Sequence, residues 1–145
     1  FDLSGGQKRR VAIASIIAMR PKVLILDEPC AGLDPKGRDV ILDLIREYQS
    51  ETGSTVIIVS HSMEDVAKLC TKVVVMNKGK VAMSGTVKEV YSHAQELKDM
   101  GLNVPQVTEI FLKLKENGID CKTDIFTVEQ GCAELARLFK KEGAE

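Results

Sequence analysis

Two short apolar runs separated by an amphipathic segment restrict the fold of this sequence more than any other feature. The runs, residues 23–26 and 55–59, are partly or largely β-branched and too short to be typical helices. Between them, Asp34 followed by Pro35 is a typical helix start, and apolar residues recur with helical spacing toward Gly53. Continuous apolar runs of this length are typical of strands buried on both faces of a parallel sheet. The pattern predicts an α/β fold with a layered parallel sheet, whose functional loops gather at the carboxyl ends of the strands.

Two further helices are expected on either side of this pattern. Ser4 is positioned to cap a helix over residues 8–20 with a broad apolar face, and Pro21 ends it. After the second strand, Ser62 with Asp65 three residues later resembles a capping arrangement for another helix. The resulting order of helix, strand, helix, strand, helix supports the α/β assignment.

The character of the sequence changes near Gly85. Before it, residues 73–83 predict a β-hairpin at the edge of the sheet, with its turn at residues 77–79. After it, amphipathic patterns predict three helices, over residues 86–97, 105–117 and 127–141. We therefore divide the chain into an α/β domain, residues 1–85, and a small helical extension, residues 86–145.

Composition places the chain among ordinary soluble domains. It has 145 residues, a net charge of −1 and 44% apolar residues, so no basic surface indicates a nucleic-acid partner. No apolar run approaches the roughly 18 residues of a membrane span, so a role at a membrane would be peripheral. The four cysteines lack the short spacing of a zinc site, and we expect reduced thiols.

A glycine-containing turn precedes the first predicted helix. Residues 3–7, Leu-Ser-Gly-Gly-Gln, combine a hydroxyl, two residues without a Cβ atom and an amide. The first N–H groups of a helix lack partners within it, and the positive end of the helix dipole attracts anions. We interpret Ser4, Gly5, Gly6 and Gln7 as a phosphate-binding loop. The alternative is a glycine-rich N-cap on an ordinary helix.

Two adjacent carboxylates follow the first predicted strand. Adjacent residues at a strand end point in different directions, so Asp27 and Glu28 are able to serve different roles. Asp27 suits Mg²⁺, directly or through water, because hard cations prefer oxygen ligands. Glu28 suits a general base, since a closed and partly dry site raises a carboxyl pKa toward the working pH. The alternative is a pair of acids that ends a strand at a solvated turn.

A histidine and an aspartate complete the candidates. His61 follows the second strand, where a neutral imidazole is able to hydrogen-bond a phosphate or order an attacking water. A lone histidine is more often structural, so this interpretation depends on its place in the series. Asp34 is expected to cap a helix whatever else it does. His93 lacks a comparable context and is expected on a helix surface.

In order and spacing these segments resemble the ABC ATPase family, and the resemblance covers essentially the whole chain. It identifies residues 3–7 as the signature loop, 23–27 as the Walker B strand, Glu28 as the catalytic carboxylate, 31–34 as the D-loop and His61 as the switch histidine. The implied fold is that of P-loop NTPases, without the half that carries the Walker A loop. The implied cofactors are ATP and Mg²⁺.

The resemblance also implies that the site is shared between two head-to-tail ATPase subunits. Ser4 to Gln7 would then contact the γ-phosphate of ATP held by the partner. Asp27 would bind the metal ion of its own subunit. Glu28 and His61 would act in catalysis in that same subunit. Asp34 would cross the interface and couple the two ATP sites.

Three stretches are similar to the ATPase subunits of energy-coupling factor importers, which take up vitamins and transition-metal ions such as cobalt and nickel: residues 2–14, 61–67 and 101–106. This implies a second ATPase subunit, identical or different, and transmembrane coupling and substrate-binding subunits. The chain would then lie at the cytoplasmic face of the cell membrane as a peripheral protein. Residues 86–145 would contribute to the contact between the two ATPases.

The chain departs from the family in two respects. Cys30 stands where the family usually has a small hydroxyl residue, which we expect to change little. The lysine-containing phosphate loop and the glutamine loop are absent, so this chain alone is expected not to hydrolyse ATP and to expose sheet surface. Two other functions stay open: a soluble ABC ATPase outside transport, and a dimerisation module without catalysis.

Overall fold

The computed structural model describes residues 3–142, and for residues 141 and 142 it describes the backbone alone. The helices are α1 (Gly5–Ile17), α2 (Pro35–Thr52), α3 (Met63–Leu69), α4 (Val87–Ser92), α5 (Ala94–Asp99), α6 (Gln106–Glu116) and α7 (Val128–Glu142). The strands are β1 (Val23–Asp27), β2 (Thr55–Val59), β3 (Lys72–Asn77) and β4 (Lys80–Thr86). These elements form two compact units, one up to His61 and the other from Ser62 onward.

Strands β1 and β2 form the parallel pair that the two apolar runs predict. Val23 lies opposite Thr55 at one end of the pair, and Asp27 lies opposite Val59 at the other. Because the strands are parallel and in register, their carboxyl ends meet at one edge. Residues 27–28 and 60–61 therefore leave the sheet side by side.

Helix α2 connects the two strands and begins and ends as predicted. The side chain of Asp34 accepts a hydrogen bond from the Gly37 N–H at 3.2 Å, with Pro35 at the first helical position. Gly53 closes the helix with a left-handed backbone, φ 64°. The local sequence signals were sufficient here because each acts within three or four residues.

The sheet of the first unit is buried on one face. Leu24 and Leu26 of β1 are buried, as are Ile41, Ile45 and Tyr48 along one stripe of α2. The Tyr48 hydroxyl donates to the carbonyl of residue 21 at 2.8 Å and ties the helix to the chain before β1. These apolar residues form the buried side of the unit.

The opposite face of this sheet is exposed, so the prediction of burial on both faces was wrong for this chain. Val23 and Ile25 of β1 are 52% and 64% exposed, and Ile57 and Val59 of β2 are 46% and 53% exposed. Burial alternates along each strand because side chains on successive residues point to opposite faces of the sheet. The described residues of the unit cover only one of these faces. The expectation that the chain exposes sheet surface agrees with this finding.

Helix α1 begins at the predicted cap but ends earlier than predicted. Its last residue is Ile17, and a turn with Arg20 in a left-handed backbone, φ 47°, leads to β1. Ile13 is buried, whereas Val11 is 58% exposed. The broad apolar face predicted from the sequence is therefore mostly on the surface of the described chain.

The predicted hairpin exists in the second unit as a sheet of its own. Strands β3 and β4 pair antiparallel, and Lys78 and Gly79 take the two left-handed conformations of a tight hairpin turn, φ 48° and 74°. Within residues 3–142 these strands pair with each other and not with β1 or β2. The prediction that this hairpin lies at the edge of the β1–β2 sheet was therefore wrong. The boundary near Gly85 stays a prediction, since the compact units divide after His61.

Helices α4 to α7 follow the hairpin, and one predicted helix is divided. His93, with φ −92° and ψ 43°, separates α4 from α5, so residues 86–97 do not form one helix. As expected, its side chain is on the surface, where Nδ1 lies 2.7 Å from Glu96 Oε1. Thr127 and Gln130 exchange the two hydrogen bonds of the predicted capping box before α7.

A buried carboxylate links α7 to the segment that precedes it. Glu134 is 4% exposed; its Oε1 accepts from the Lys122 N–H at 2.8 Å, and Arg137 donates to both of its oxygens at 2.6 and 2.9 Å. The Arg137 guanidinium, followed by the Lys122 N–H, lowers the pKa of Glu134 to about 2. The charged form is therefore the one that stabilises the fold.

We expect the second unit to lose stability as the pH falls from about 4.5 to about 2. The pKa of Glu134 is lower in the folded state than in the unfolded chain, so its stabilising effect is present above the unfolded pKa and disappears through the folded one. Urea midpoints measured between pH 5 and pH 2.5 should fall steeply for the wild type and less for Glu134→Gln. Glu116→Gln, at an exposed position on α6, is the control and should keep the wild-type slope. Equal slopes for the wild type and Glu134→Gln would contradict this assignment.

All four cysteines, Cys30, Cys70, Cys121 and Cys132, lie within the described residues, and none of them forms a disulfide bond there. Between residues 3 and 142 no helix has both the length and the apolar content needed to cross a bilayer.

Candidate functional site: a glycine turn and a carboxylate–histidine pair

The glycine turn forms the N-terminal cap of α1. Ser4 Oγ accepts from the Gln7 N–H at 3.3 Å, and Gln7 Oε1 accepts from the Ser4 N–H at 2.8 Å. The Ser4 and Gln7 side chains, which were expected to bind phosphate, are thus hydrogen-bonded to backbone N–H groups of the turn itself. Helix geometry gives the N–H groups of Gly5 and Gly6 no acceptor within α1, so these two groups are the donors suited to an anion.

Gly6 also lies against the turn that follows Glu28. A Cβ atom added at Gly6 would sit 3.1 Å from Leu33 Cδ2, whereas one added at Gly5 would meet no atom within 4 Å. Gly6 therefore allows the residue 31–34 turn to approach the start of α1. The start of α1 and the turn after Glu28 are therefore neighbours in the fold, although they are far apart in the sequence.

We expect alanine to have different effects at these two glycines. Gly5→Ala should stabilise the first unit by a few tenths to about 1 kcal/mol, because alanine favours the helix. Gly6→Ala should lose that gain, because the new methyl group displaces Leu33. Urea unfolding and the Leu33 methyl NMR signals measure both effects. Equal stabilisation by the two substitutions, with Leu33 unshifted, would show that the contact is unimportant.

Glu28 and His61 form a bonded pair at the carboxyl ends of β1 and β2. Glu28 Oε1 accepts from the His61 backbone N–H at 2.9 Å and lies 2.7 Å from His61 Nδ1. The Glu28 N–H donates to the Val59 carbonyl at 2.8 Å, which extends the strand pairing beyond β1. The Glu28 side chain is 32% exposed and that of His61 is 82% exposed. The pair is therefore accessible to a ligand at the edge of the sheet.

The pKa of Glu28 is lowered, not raised as a closed and dry site would require. Partial burial raises the pKa, but hydrogen bonds from the His61 side chain and backbone, the electrostatic interaction with His61, and a hydrogen bond from Ser60 outweigh that effect. Glu28 is thus held as a carboxylate that accepts hydrogen bonds. The expectation of a raised pKa was wrong for this chain because the sequence did not show that His61 would supply two bonds.

Glu28 has a left-handed backbone, with φ 45°. A residue with a Cβ atom pays about 1–2 kcal/mol for this conformation, so the surrounding contacts must maintain it. The Val59 carbonyl holds the Glu28 N–H, and the Glu28 carbonyl accepts from the Ala31 N–H at 3.1 Å. This backbone geometry directs the carboxylate toward His61.

Asp27 ends β1 with an exposed side chain beside this pair. Among the residues that the structure describes, no three histidine, cysteine or carboxylate side chains cluster as a metal site. A single exposed carboxylate nevertheless fits Mg²⁺ bound together with a nucleotide, because that ion keeps several waters and takes oxygens from substrate phosphates. Asp27 is the residue that would hold it, and the ion would neutralise phosphate charge when bound.

Asp34 serves as the cap of α2. A Cβ atom added at Gly37 would lie 2.7 Å from Asp34 Oδ1, so Gly37 leaves the space that this cap occupies. The residue is exposed and remains accessible from outside the unit. Its contact with a second subunit stays a prediction.

Arg9 is the residue of this region that sequence reasoning did not identify. It lies within residues 2–14, a stretch similar to the family, but the sequence does not distinguish its role from those of Lys8 and Arg10. The structure directs Arg9 alone toward the Glu28 turn, where its guanidinium donates to backbone carbonyls. A run of three adjacent cations does not reveal which member points inward.

Solved structures match the chain with the fold of ABC cassettes. CbiO1 from Clostridium perfringens, described as part of the ABC transporter complex CbiONQ, is 44% identical with a TM-score of 0.60 and covers 81% of this chain and 43% of that one. A dimeric structure of the ATP-binding cassette MJ0796 with ADP and Pi is 32% identical with a TM-score of 0.54, covering 59% and 36%. The fold and the ordered segments thus define a part of an ABC-type ATP-binding cassette.

Curated relatives match nearly the whole chain. The energy-coupling factor transporter ATP-binding protein EcfA2 of Clostridium tetani is 54% identical over 142 residues, which are 98% of this chain and 49% of the relative. EcfA2 of Bacillus licheniformis is 44% identical over 145 residues, or 99% and 50%. A protein-family profile described as "AAA domain, putative AbiEii toxin, Type IV TA system" matches residues 1–65.

In sequence the chain resembles half of the ATP-binding proteins of energy-coupling factor transporters, and in sequence and fold it resembles part of solved ABC cassettes. It spans about half the length of the curated relatives it matches.

Proposed function

We propose that the full-length protein containing this chain binds and hydrolyses Mg-ATP and thereby powers an importer. The observation that carries this proposal is the Glu28–His61 pair, held 2.7 Å apart at the ends of two parallel strands. A carboxylate beside an imidazole at an open strand end has the chemistry to bind and activate water near a phosphate. Similarity to ATPases of transporters supports the same conclusion.

In this proposal water attacks the γ-phosphorus of ATP in line with the bond to the leaving oxygen. The new P–O bond forms as the bond to the β-phosphate oxygen breaks, and ADP leaves with the electron pair. Glu28 accepts the proton of the attacking water, while His61 orders that water and contacts the γ-phosphate. When bound, Mg²⁺ neutralises phosphate charge, with Asp27 as its ligand on the protein.

The Gly5 and Gly6 N–H groups are the donors for a second anion contact, to the γ-phosphate of ATP held by a partner ATPase. Ser4 and Gln7 contribute their side chains once the two hydrogen bonds between them break to admit the phosphate, and Asp34 meets the partner across the interface. The partner is identical or different. This arrangement rests on the Gly5 and Gly6 N–H groups, which have no acceptor within α1, and on the exposed position of Asp34.

The finer assignment is an importer of vitamins or of metal ions such as cobalt, with transmembrane coupling and substrate-binding subunits. The cassette would be a peripheral protein at the cytoplasmic face of the cell membrane. Residues 1–85 would form the C-terminal half of the ATPase domain, and residues 86–145 would contact the second ATPase. Residues 101–106 in that extension support the assignment.

ATPase assays on this chain and on a full-length cassette that carries it test the proposal. The full-length cassette should hydrolyse Mg-ATP and form pairs in ATP, detected by light scattering with the hydrolysis-deficient Glu28→Gln variant. The chain alone should do neither. A full-length cassette that binds ATP but never turns it over would overturn the enzymatic assignment.

A further inference from the structure

Arg9 of α1 reaches the turn that carries Glu28. Its Nη1 donates to the Ala31 carbonyl at 3.1 Å, and its Nη2 donates to the Glu28 carbonyl and lies 3.5 Å from that of Asp27. These partners are 18 to 22 residues away in the sequence, so the contacts are tertiary. Hydrogen bonds from a charged guanidinium are stronger than neutral ones, and its planar fork fits two acceptors at once.

The Glu28 carbonyl is the centre of this arrangement. It accepts from Arg9 and from the Ala31 N–H, so the peptide group after Glu28 is held from two sides. On the other side of the residue, the Val59 carbonyl holds the Glu28 N–H. Together these bonds fix the left-handed backbone, φ 45°, from which the carboxylate reaches His61.

Arg9 also lies only two residues after Gln7. Both belong to α1, the helix whose first N–H groups are suited to bind phosphate. The turn from Gly5 to Gln7 and the Arg9 side chain belong to one rigid helix, α1. A movement of the helix start is therefore carried to the Glu28 carbonyl. The same two segments also approach each other at Gly6, where an added Cβ atom would lie 3.1 Å from Leu33 Cδ2.

We propose that Arg9 is a positioning residue, which holds the Glu28 backbone in its left-handed conformation and couples the phosphate-binding end of α1 to the carboxylate. It contacts carbonyl groups of the protein and not the reacting atoms. The proposal rests on the function assigned to Glu28 above. The effect of Arg9 on the Glu28 backbone can be measured without an activity assay.

Kinetics of the full-length cassette form one arm of the test. Arg9→Gln should lower kcat for ATP by roughly 10- to 100-fold, because a small displacement of a catalytic group has effects of this size. KM for ATP should stay within about threefold, since binding does not use Arg9. Arg9→Lys should recover part of kcat, because lysine keeps the charge but lacks the fork. Arg10→Gln, the same substitution at the exposed neighbouring position, is the matched control.

Amide hydrogen exchange in this chain forms the second arm. The N–H groups of Ala31 and His61 both donate to Glu28, one to its carbonyl and one to its carboxylate. Both should exchange at least about tenfold faster in Arg9→Gln than in the wild type, with Arg9→Lys between them. Amides of α2, such as that of Ile45, should be unchanged and report an intact fold.

The two arms separate the possible failures. If Glu28→Gln keeps full turnover, the proposed function fails, and the exchange data still decide whether Arg9 holds Glu28. If Glu28→Gln is inactive but Arg9→Gln keeps the wild-type kcat, the positioning role is overturned. Unchanged exchange at Ala31 and His61, or a loss equal in Arg10→Gln, overturns it as well. If Arg9→Gln unfolds, the test uses Arg9→Lys instead. A wild-type kcat together with wild-type amide exchange in Arg9→Lys would then reject the proposal.

Discussion

The Glu28→Gln variant of a full-length cassette is expected to hydrolyse ATP roughly a hundred- to ten-thousand-fold more slowly than the wild type, the usual range for loss of a general base. The amide keeps the shape of the carboxylate but does not accept the proton of the attacking water. It still offers an oxygen to the His61 N–H, which lies 2.9 Å from Oε1 in the present structure. ATP binding should therefore persist while turnover is lost.

Steady-state turnover and nucleotide binding, measured on the same preparation, check this result. Glu47→Gln makes the same chemical change at an exposed position of α2 and should leave turnover within about twofold of the wild type. If Glu28→Gln turned over ATP at the wild-type rate, Glu28 would not be the base. Loss of binding together with turnover would instead assign it a role in holding nucleotide.

The largest expected change in stability is that of Phe111→Ala in the second unit. Phe111 is 1% exposed and packs with Cys121 and Ile125 beneath α7. Gly131 lies so close that an added Cβ atom would be 3.3 Å from the ring, which leaves little room for the cavity to collapse. Truncation of such a ring should cost about 3–5 kcal/mol.

Urea unfolding followed by the methyl NMR signals of Ile125 and Leu138 measures this cost locally. The midpoint should fall by at least about 1 M, because urea m-values of small units are about 1–3 kcal/mol/M. Phe139→Ala removes the same ring from a position that is 68% exposed and should change stability by less than about 0.5 kcal/mol. Similar midpoints for the two variants would show that the Phe111 cluster does not stabilise the unit.

Much of the secondary structure was predictable because its signals are local. The predicted strand over residues 55–59 matches β2, and Asp34, Pro35 and Gly53 mark the bounds of α2. Caps, proline and turn glycines act through neighbours within one helical turn. The division of residues 86–97 at His93 was missed, because an amphipathic pattern continues across a single non-helical residue.

The candidate site was predictable as a set of residues but not as a geometry. The order of the glycine turn, the two acids and the histidine indicated the family, and similarity to transporter ATPases agrees with it. The lowered pKa of Glu28 contradicted the expected dry site, since it results from bonds to a residue 33 positions away. The direction of the Arg9 side chain likewise depends on the packing of α1 against the residue 27–31 turn.

The sequence by itself determined the α/β class, most helix and strand bounds, and which side chains are available for phosphate chemistry, because those follow from spacing and residue type. Only the tertiary structure decided that Glu28 adopts a left-handed backbone against His61, that Arg9 holds the carbonyl of Glu28, and that one face of the β1–β2 pair stays exposed. These features arise from contacts between distant parts of the chain. Such contacts depend on how helices and strands pack, which no local pattern specifies.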